Sequence, residues 1–138
     1  MQADLTPYRH FPGTAQAAME FYRDLFDGDL QLTPFSSVHP PEEVGEMSEE
    51  VMHAALTVDG RTLLFASDIP PGMEPIKGED TPLSLTGGGD IEAELRGYWE
   101  KLAEGGEVSM PLQEVPWGGF YGSLKDRFGT HWLINIGG

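Results

Sequence analysis

The sequence predicts an α+β protein made of paired βαβββ modules whose curved sheets enclose a cavity. The order strand, helix, strand, strand, strand occurs twice, at a spacing of about 70 residues. A segment rich in proline and glycine separates the two series, and 138 residues is a length typical of one domain. We therefore assign residues 1–68 to the first module, 69–80 to a linker and 81–138 to the second module of a single domain.

Local signals place the first strand and the first helix. Residues 5–11 are rich in strand formers and stop at Pro12-Gly13. Residues 15–26 repeat apolar side chains at three- and four-residue steps, which indicates an amphipathic helix. Thr14 is its predicted N-cap, and Asp27-Gly28 is its predicted end.

The other strands of the first module are predicted at residues 30–38, 51–58 and 62–67. Pro34 indicates an edge position or a bulge for the earliest of them, because proline cannot donate to a central ladder. Asp59-Gly60, a dipeptide typical of tight hairpins, joins the other two. Residues 39–50 combine prolines and glutamates with little apolar content and are predicted to form an exposed loop.

The second module repeats the pattern. A strand at residues 82–86 leads through Gly87-Gly88-Gly89 to a helix that Asp90 is predicted to cap and Gly105-Gly106 to end. The apolar side of this helix contains Ile91, Leu95, Tyr98, Trp99 and Leu102. Three more strands are predicted at residues 108–115, 120–125 and 131–136. A lone module would leave one sheet face uncovered, so we expect both sheets to face a shared ligand cavity.

Composition excludes several classes of function. Eight basic and 23 acidic residues give a net charge of -15, which disfavours nucleic acids and anionic membranes as partners. The absence of cysteine excludes disulfides, thiolate nucleophiles and thiolate metal sites. No stretch approaches the ~18 apolar residues of a membrane span, and the N-terminus lacks a basic segment followed by an apolar run. We expect a cytoplasmic protein with a hydrated acidic surface.

Several stretches together resemble the PhnB-like branch of the vicinal oxygen chelate superfamily, the glyoxalase/bleomycin resistance/dioxygenase group. They occur in the order of that branch and cover nearly the whole chain. The matching residues are Leu5-Thr6-Pro7-Tyr8, Phe11, Gly13, Ala18-Met19-Glu20-Phe21-Tyr22, Val51-Met52-His53-Ala54, Asp59-Gly60, Leu63-Leu64-Phe65-Ala66-Ser67-Asp68, Trp117-Gly118 and Asp126-Arg127-Phe128-Gly129-Thr130-His131-Trp132.

The resemblance implies the glyoxalase/bleomycin resistance/dihydroxybiphenyl dioxygenase fold, often as a homodimer. Its members include glyoxalase I, ring-cleaving dioxygenases, fosfomycin-inactivating transferases and bleomycin-binding proteins, so the fold alone does not choose a reaction. Some PhnB-like sequences carry a demethylubiquinone methyltransferase label. The sequence gives that activity no support, since Gly87-Gly88-Gly89 belongs to a βαβββ module rather than to a methyl-donor loop.

The resemblance also implies where metal-dependent members hold their ligands, on inward-facing positions of the first and last strands of the modules. Here those positions fall near Leu133 and near Leu83 or Ser84. Residues 62–65 of the first module likewise contain no carboxylate or imidazole. Leucine cannot bind a metal ion and serine is a weak ligand, so we expect no tightly bound metal.

Four histidines are candidates for chemistry. His10 and His53 lie on predicted strands where alternation allows each to face the cavity, and His53 is the best candidate for acid-base catalysis. A hydrogen-bonded structural role is the alternative for His53. His39 is expected to be solvated in the acidic loop.

The last strand alternates between two kinds of residue. If its apolar residues Trp132, Ile134 and Ile136 pack under the helix, then His131 and Asn135 face the cavity. A histidine at the surface or at the strand end is the alternative reading of His131.

Aromatic residues supply the predicted pocket walls. Trp117, between Pro116 and Gly118, is hard to explain as core and is the preferred wall, whereas Phe65 is expected to be core. The predicted ligand-binding set is Tyr8, His10, His53, Ser84, Trp117, Phe120, His131 and Asn135.

The sequence thus predicts a PhnB-like protein that binds a small organic molecule as a homodimer, without a tightly bound metal and with catalysis left open. One alternative is a divalent-metal lyase or dioxygenase that uses His10, His53 and His131. Another is a drug-sequestering resistance protein, for which the acidic charge favours a cation.

Overall fold

The computed structural model describes residue 2 and residues 4–37, 49–69 and 81–137. The chain divides into two compact units, Met1–Ile76 and Lys77–Gly138. Within the described residues each unit has one four-stranded sheet and one α-helix, in the order strand, helix, strand, strand, strand. The α+β class and the duplicated βαβββ order are therefore confirmed. His39 and most of the predicted loop and linker lie outside the described residues.

The first unit places its long strands in the middle of the sheet. Its elements are β1 (Tyr8–Phe11), α1 (Ala15–Phe26), β2 (Asp29–Pro34), a 3-10 turn (Phe35–Ser37), β3 (Val51–Val58) and β4 (Arg61–Asp68). The strand order is β1-β4-β3-β2, with β1 parallel to β4 and the other pairs antiparallel. The edge strand β2 shifts its register at Pro34, which confirms both features predicted for this proline. This strand ends earlier than expected because Pro34 has no N–H with which to extend the ladder.

The second unit repeats this topology. Its elements are β5 (Leu83–Gly87), a 3-10 turn (Gly89–Ile91), α2 (Glu92–Ala103), β6 (Glu107–Glu114), β7 (Phe120–Lys125) and β8 (His131–Ile136), in the sheet order β5-β8-β7-β6. Asp90 was expected at the helix N-cap, but it lies inside the 3-10 turn, and Ile91 is the residue before α2. Tight backbone bonds from Ile91 to Gly88 and from Glu92 to Gly89 take the place of a side-chain cap.

Strand alternation gives each sheet one helix-covered face. In the first unit, cross-strand pairs Leu56–Leu64 and Ala54–Ala66 are buried, as are the α1 residues. These helix residues are Ala15, Ala18, Met19 and Tyr22. In the second unit, Ile134 and Ile136 of β8 form a buried cluster with Leu95 of α2, which confirms the predicted alternation. We call the face of each sheet that lies opposite its helix the open face.

Of two local signals in the first unit, the hairpin turn is confirmed and the N-cap is confirmed in its position only. Asp59 and Gly60 both have positive φ, at 51° and 78°, as a two-residue hairpin turn between twisted strands requires. Thr14 precedes α1 as predicted but makes no side-chain capping bond.

Neither α1 nor α2, the α-helices of the described ranges, is long and apolar enough to cross a membrane.

Asp68 connects helix α1 to the first sheet. Its carboxylate is only 2% exposed and accepts the backbone N–H of Ala15 at 2.9 Å and that of Val51 at 2.8 Å. These bonds satisfy a donor at the start of α1 and a donor at the start of β3. Burial, and then the negative charge of Asp68, raise the pKa of the nearby Glu50 carboxyl.

Asp126 organises the turn between β7 and β8. This side chain is 3% exposed, and its Oδ1 accepts the N–H groups of Phe128 at 2.9 Å and Thr130 at 3.0 Å. Its Oδ2 accepts the indole N–H of Trp132 at 2.9 Å. The segment 126–132, which carries part of the family resemblance, is therefore explained by turn structure.

We expect Glu50→Gln to stabilise the protein at neutral pH. A pKa that is raised on folding means that stability is present below the unfolded-state pKa and is lost as pH rises through the folded-state value. Gln removes the charge, so the gain at pH 7, below about 1 kcal/mol for a partly exposed group, should disappear near pH 4. Urea unfolding at both pH values measures it, with the exposed Glu49→Gln as the control. An equal gain at both pH values would contradict the assignment.

We expect Asp126→Ala to lower the free energy of unfolding by about 2–4 kcal/mol, because three donors lose a charged acceptor and two of them are backbone groups. Asp126→Asn should also destabilise the fold, since an amide nitrogen in place of Oδ2 would face the Trp132 N–H. Asp24→Ala is the matched control, because its side chain is 73% exposed and forms an ion pair with the adjacent Arg23 at the surface. Urea unfolding followed by circular dichroism tests all three. A loss below 1 kcal/mol in Asp126→Ala would show that the turn does not need this carboxylate.

Candidate ligand-binding site

Four rings meet on the open face of the first sheet, and we call them the ring cluster: Tyr8, His10, His53 and Phe65. Parallel pairing of β1 with β4 places Tyr8 directly beside Phe65. His10 lies two residues further along β1, on the same face as Tyr8. In β3, Ala55 is opposite Phe65 and shares its face. His53 lies two residues before Ala55, so it also lies on the face of Phe65.

Tyr8 is the centre of the ring cluster. Its ring centroid lies 5.2 Å from that of His10, 5.9 Å from that of His53 and 6.0 Å from that of Phe65. His53 and Phe65 are 5.2 Å apart. Tyr8 is 45% exposed, whereas the other three rings are half-buried. The ring cluster therefore leaves aromatic surface exposed on the open face of the sheet, opposite helix α1.

Two polar groups of the ring cluster face each other. The Tyr8 hydroxyl lies 3.4 Å from Nδ1 of His53, within reach of a long hydrogen bond. When Nδ1 carries no proton, the hydroxyl donates to it, and when Nδ1 is protonated, the hydroxyl oxygen accepts. The pair can thus hold the imidazole in place and can exchange a proton with a group bound against it.

Three residues predicted for the site lie on the open face of the second sheet. Ser84 is opposite Leu133, and Asn135 is opposite both Thr86 and Tyr121. The hydroxyls of Ser84 and Thr86 are 3.1 Å apart. His131, paired with Lys125, has a buried Nε2 atom with no hydrogen-bond partner among the residues that the structure describes.

Two aromatic residues of the predicted set lie elsewhere. Phe120 pairs with Ile136 and packs against the buried cluster of the second unit, with the Arg96 guanidinium 4.5 Å above its ring. Trp117 is 77% exposed in the turn between β6 and β7. Phe65, which was expected to be core, belongs instead to the ring cluster because it alternates with the buried Leu64 and Ala66.

The residues present do not fit the metal site that the superfamily implies. The implied positions on β5 and β8 are direct neighbours in the ladder, but they hold Ser84 and Leu133. Across the described ranges no group of three or more His, Asp or Glu side chains is placed to hold a metal ion. A site needs several converging N or O ligands, so we derive no chemistry through a metal.

Comparison with known proteins gives close relatives over the whole chain. The structure of protein PA1353 from Pseudomonas aeruginosa is 34% identical, with a TM-score of 0.82 over 99% of this chain and 98% of that one. A Bacillus cereus protein described as a 3-demethylubiquinone-9 3-methyltransferase, PhnB protein, is 26% identical, with a TM-score of 0.78 over 97% and 99%. YjdN of Escherichia coli K12 is 24% identical over 143 residues, 96% of this chain and 94% of YjdN.

More distant structures share the fold alone. The fosfomycin resistance protein FosX from Listeria monocytogenes is 11% identical, with a TM-score of 0.63 over 100% of this chain and 95% of that one. The lactoylglutathione lyase from Agrobacterium tumefaciens is 17% identical, with a TM-score of 0.53 over 99% and 95%. The family model for 3-demethylubiquinone-9 3-methyltransferase matches residues 3–135. The chain therefore belongs to this PhnB-like family, and it shares its fold with the fosfomycin resistance protein and the lactoylglutathione lyase.

Proposed function

We propose that this protein binds a small organic molecule through the ring cluster, without a tightly bound metal. One observation carries the proposal: Tyr8 contacts three other rings and is still 45% exposed, on a face that helix α1 does not cover. Burial of aromatic surface contributes about 25 cal/mol per Å², so a ligand that covers these rings gains affinity from them.

The polar groups of the cluster add selectivity to this apolar surface. Tyr8 and His53 supply a hydroxyl and an imidazole at one point, and His10 supplies a second imidazole next to Tyr8. Apolar surface with a few placed polar groups is the usual lining of a small-molecule site. His53 is also the residue we propose for proton transfer, because its Nδ1 faces the Tyr8 hydroxyl.

A panel of four small probes tests the proposal: indole, p-cresol, choline and 3,3-dimethylbutan-1-ol. We expect at least one of them to shift the backbone amide NMR signals of Tyr8, His53 and Phe65 in a saturable way. Tyr8→Leu should weaken that probe roughly 2- to 12-fold, the value of one aromatic contact, while Tyr8→Phe keeps the ring. Val108→Ala, at an exposed position of β6, is the control and should leave affinity unchanged.

Two results would contradict the proposal. If none of the four probes perturbs the ring cluster, or if Tyr8→Leu and Val108→Ala bind the best probe equally well, the cluster is not a binding site.

Elemental analysis of the purified protein tests whether the site is free of a tightly bound metal. Stoichiometric zinc, nickel, manganese or iron would favour the divalent-metal lyase or dioxygenase alternative over a metal-free site.

A further inference from the structure

We infer that the ring cluster recognises a compact cationic group of its ligand, such as a trimethylammonium, rather than a flat aromatic ring. This inference rests on the proposed function and specifies the class of ligand. It follows from the angles between the rings and from the position of the nearest cation in β1.

The angles between the rings limit what can stack on them. Tyr8, His53 and Phe65 form a closed triangle, with centroid separations of 5.9, 6.0 and 5.2 Å. Every pair of planes in this triangle is inclined by 43° to 47°. A flat ligand parallel to one ring is therefore inclined by more than 40° to each of the other two, and it stacks well on one ring only.

A compact tetrahedral group has no plane to align. It can contact several inclined rings at once. His10 extends the same surface, since its plane is inclined by 39° to that of Tyr8. The shape of the cluster therefore favours a small round group over a planar one.

Electrostatics favours a positive charge on that group. The ring faces of Tyr8 and Phe65 carry the negative part of the aromatic quadrupole and attract cations. Arg9 lies between Tyr8 and His10 in β1, but its side chain takes the opposite face, with its guanidinium 4.7 Å above the buried ring of Phe11. The strand thus keeps its own cation away from the ring cluster. The net charge of -15 adds long-range attraction for a cation.

A matched pair of probes separates charge from shape. Choline and 3,3-dimethylbutan-1-ol have nearly the same shape, but only choline carries a charge, and indole supplies the flat comparison. We expect choline to bind roughly 2- to 30-fold more tightly than the neutral alcohol, the range that a cation–π contact gives, and more tightly than indole. NMR titration of the 138-residue chain at constant ionic strength measures all three affinities.

Variants locate the effect in the ring cluster. Tyr8→Leu should reduce the difference between choline and the neutral alcohol, because the Phe65 ring face then remains alone, while Tyr8→Phe should retain it, because the ring face and not the hydroxyl attracts the cation. Val108→Ala should leave the difference unchanged. Because Tyr8 is 45% exposed, both of its variants should fold, which circular dichroism checks.

The outcomes separate this inference from the proposed function. Equal affinity for choline and the neutral alcohol, or tighter binding of indole than of choline, overturns the cation inference but leaves a binding site at the ring cluster. A choline preference that Tyr8→Leu leaves unchanged also overturns it, since general acidity would then be the cause. Failure of all four probes to perturb the cluster overturns both.

Discussion

The parallel register between β1 and β4 sets the two features on which the first unit depends. It pairs Tyr8 with Phe65 on the open face and Phe11 with Asp68 on the covered face. The first pair builds the centre of the ring cluster. The second places the Asp68 carboxylate where it accepts the N–H groups of Ala15 and Val51. A shift of one residue would move each side chain to the other face and would separate both sets of contacts.

The two units show that topology and surface chemistry are separate properties. Both sheets place a short parallel strand beside the last strand of the module, and both leave one face uncovered by a helix. The open face of the first sheet carries the ring cluster, whereas that of the second carries Ser84, Thr86 and Asn135 together with the rings of Tyr121 and His131. The duplicated fold therefore does not give the two units the same chemistry, which depends on the side chains that each open face carries.

The sequence predicted those elements whose signals are local. Residues 120–125 and 131–136 match β7 and β8, and residues 51–58 match β3, because alternation and the Asp59-Gly60 turn are set by near neighbours. The N-cap was wrong at Asp90 because three preceding glycines allow a tight turn that needs no side-chain acceptor. Phe65 was assigned to the core because only the strand register, a contact between distant residues, shows which face it takes. Tyr8, His10 and His53 were candidates, but their meeting at one point also depends on that register. A cavity between the halves stays a prediction.

The glycine turn after β5 shows why the family description does not pass directly to this chain as an activity. A methyl-donor loop would use glycines to bring backbone close to a ligand. Here a Cβ at Gly87 would overlap the side chain of Ile91, and one at Gly88 would lie 2.8 Å from Oδ1 of Asp90. The packing of this turn against its own following residues therefore accounts for both glycines, and acidic side chains of the first helical turn, Glu92 and Glu94, follow it. Since the turn is explained by the fold, its glycines give no evidence for a methyl-donor site, and the proposed ligand is assigned to the ring cluster instead.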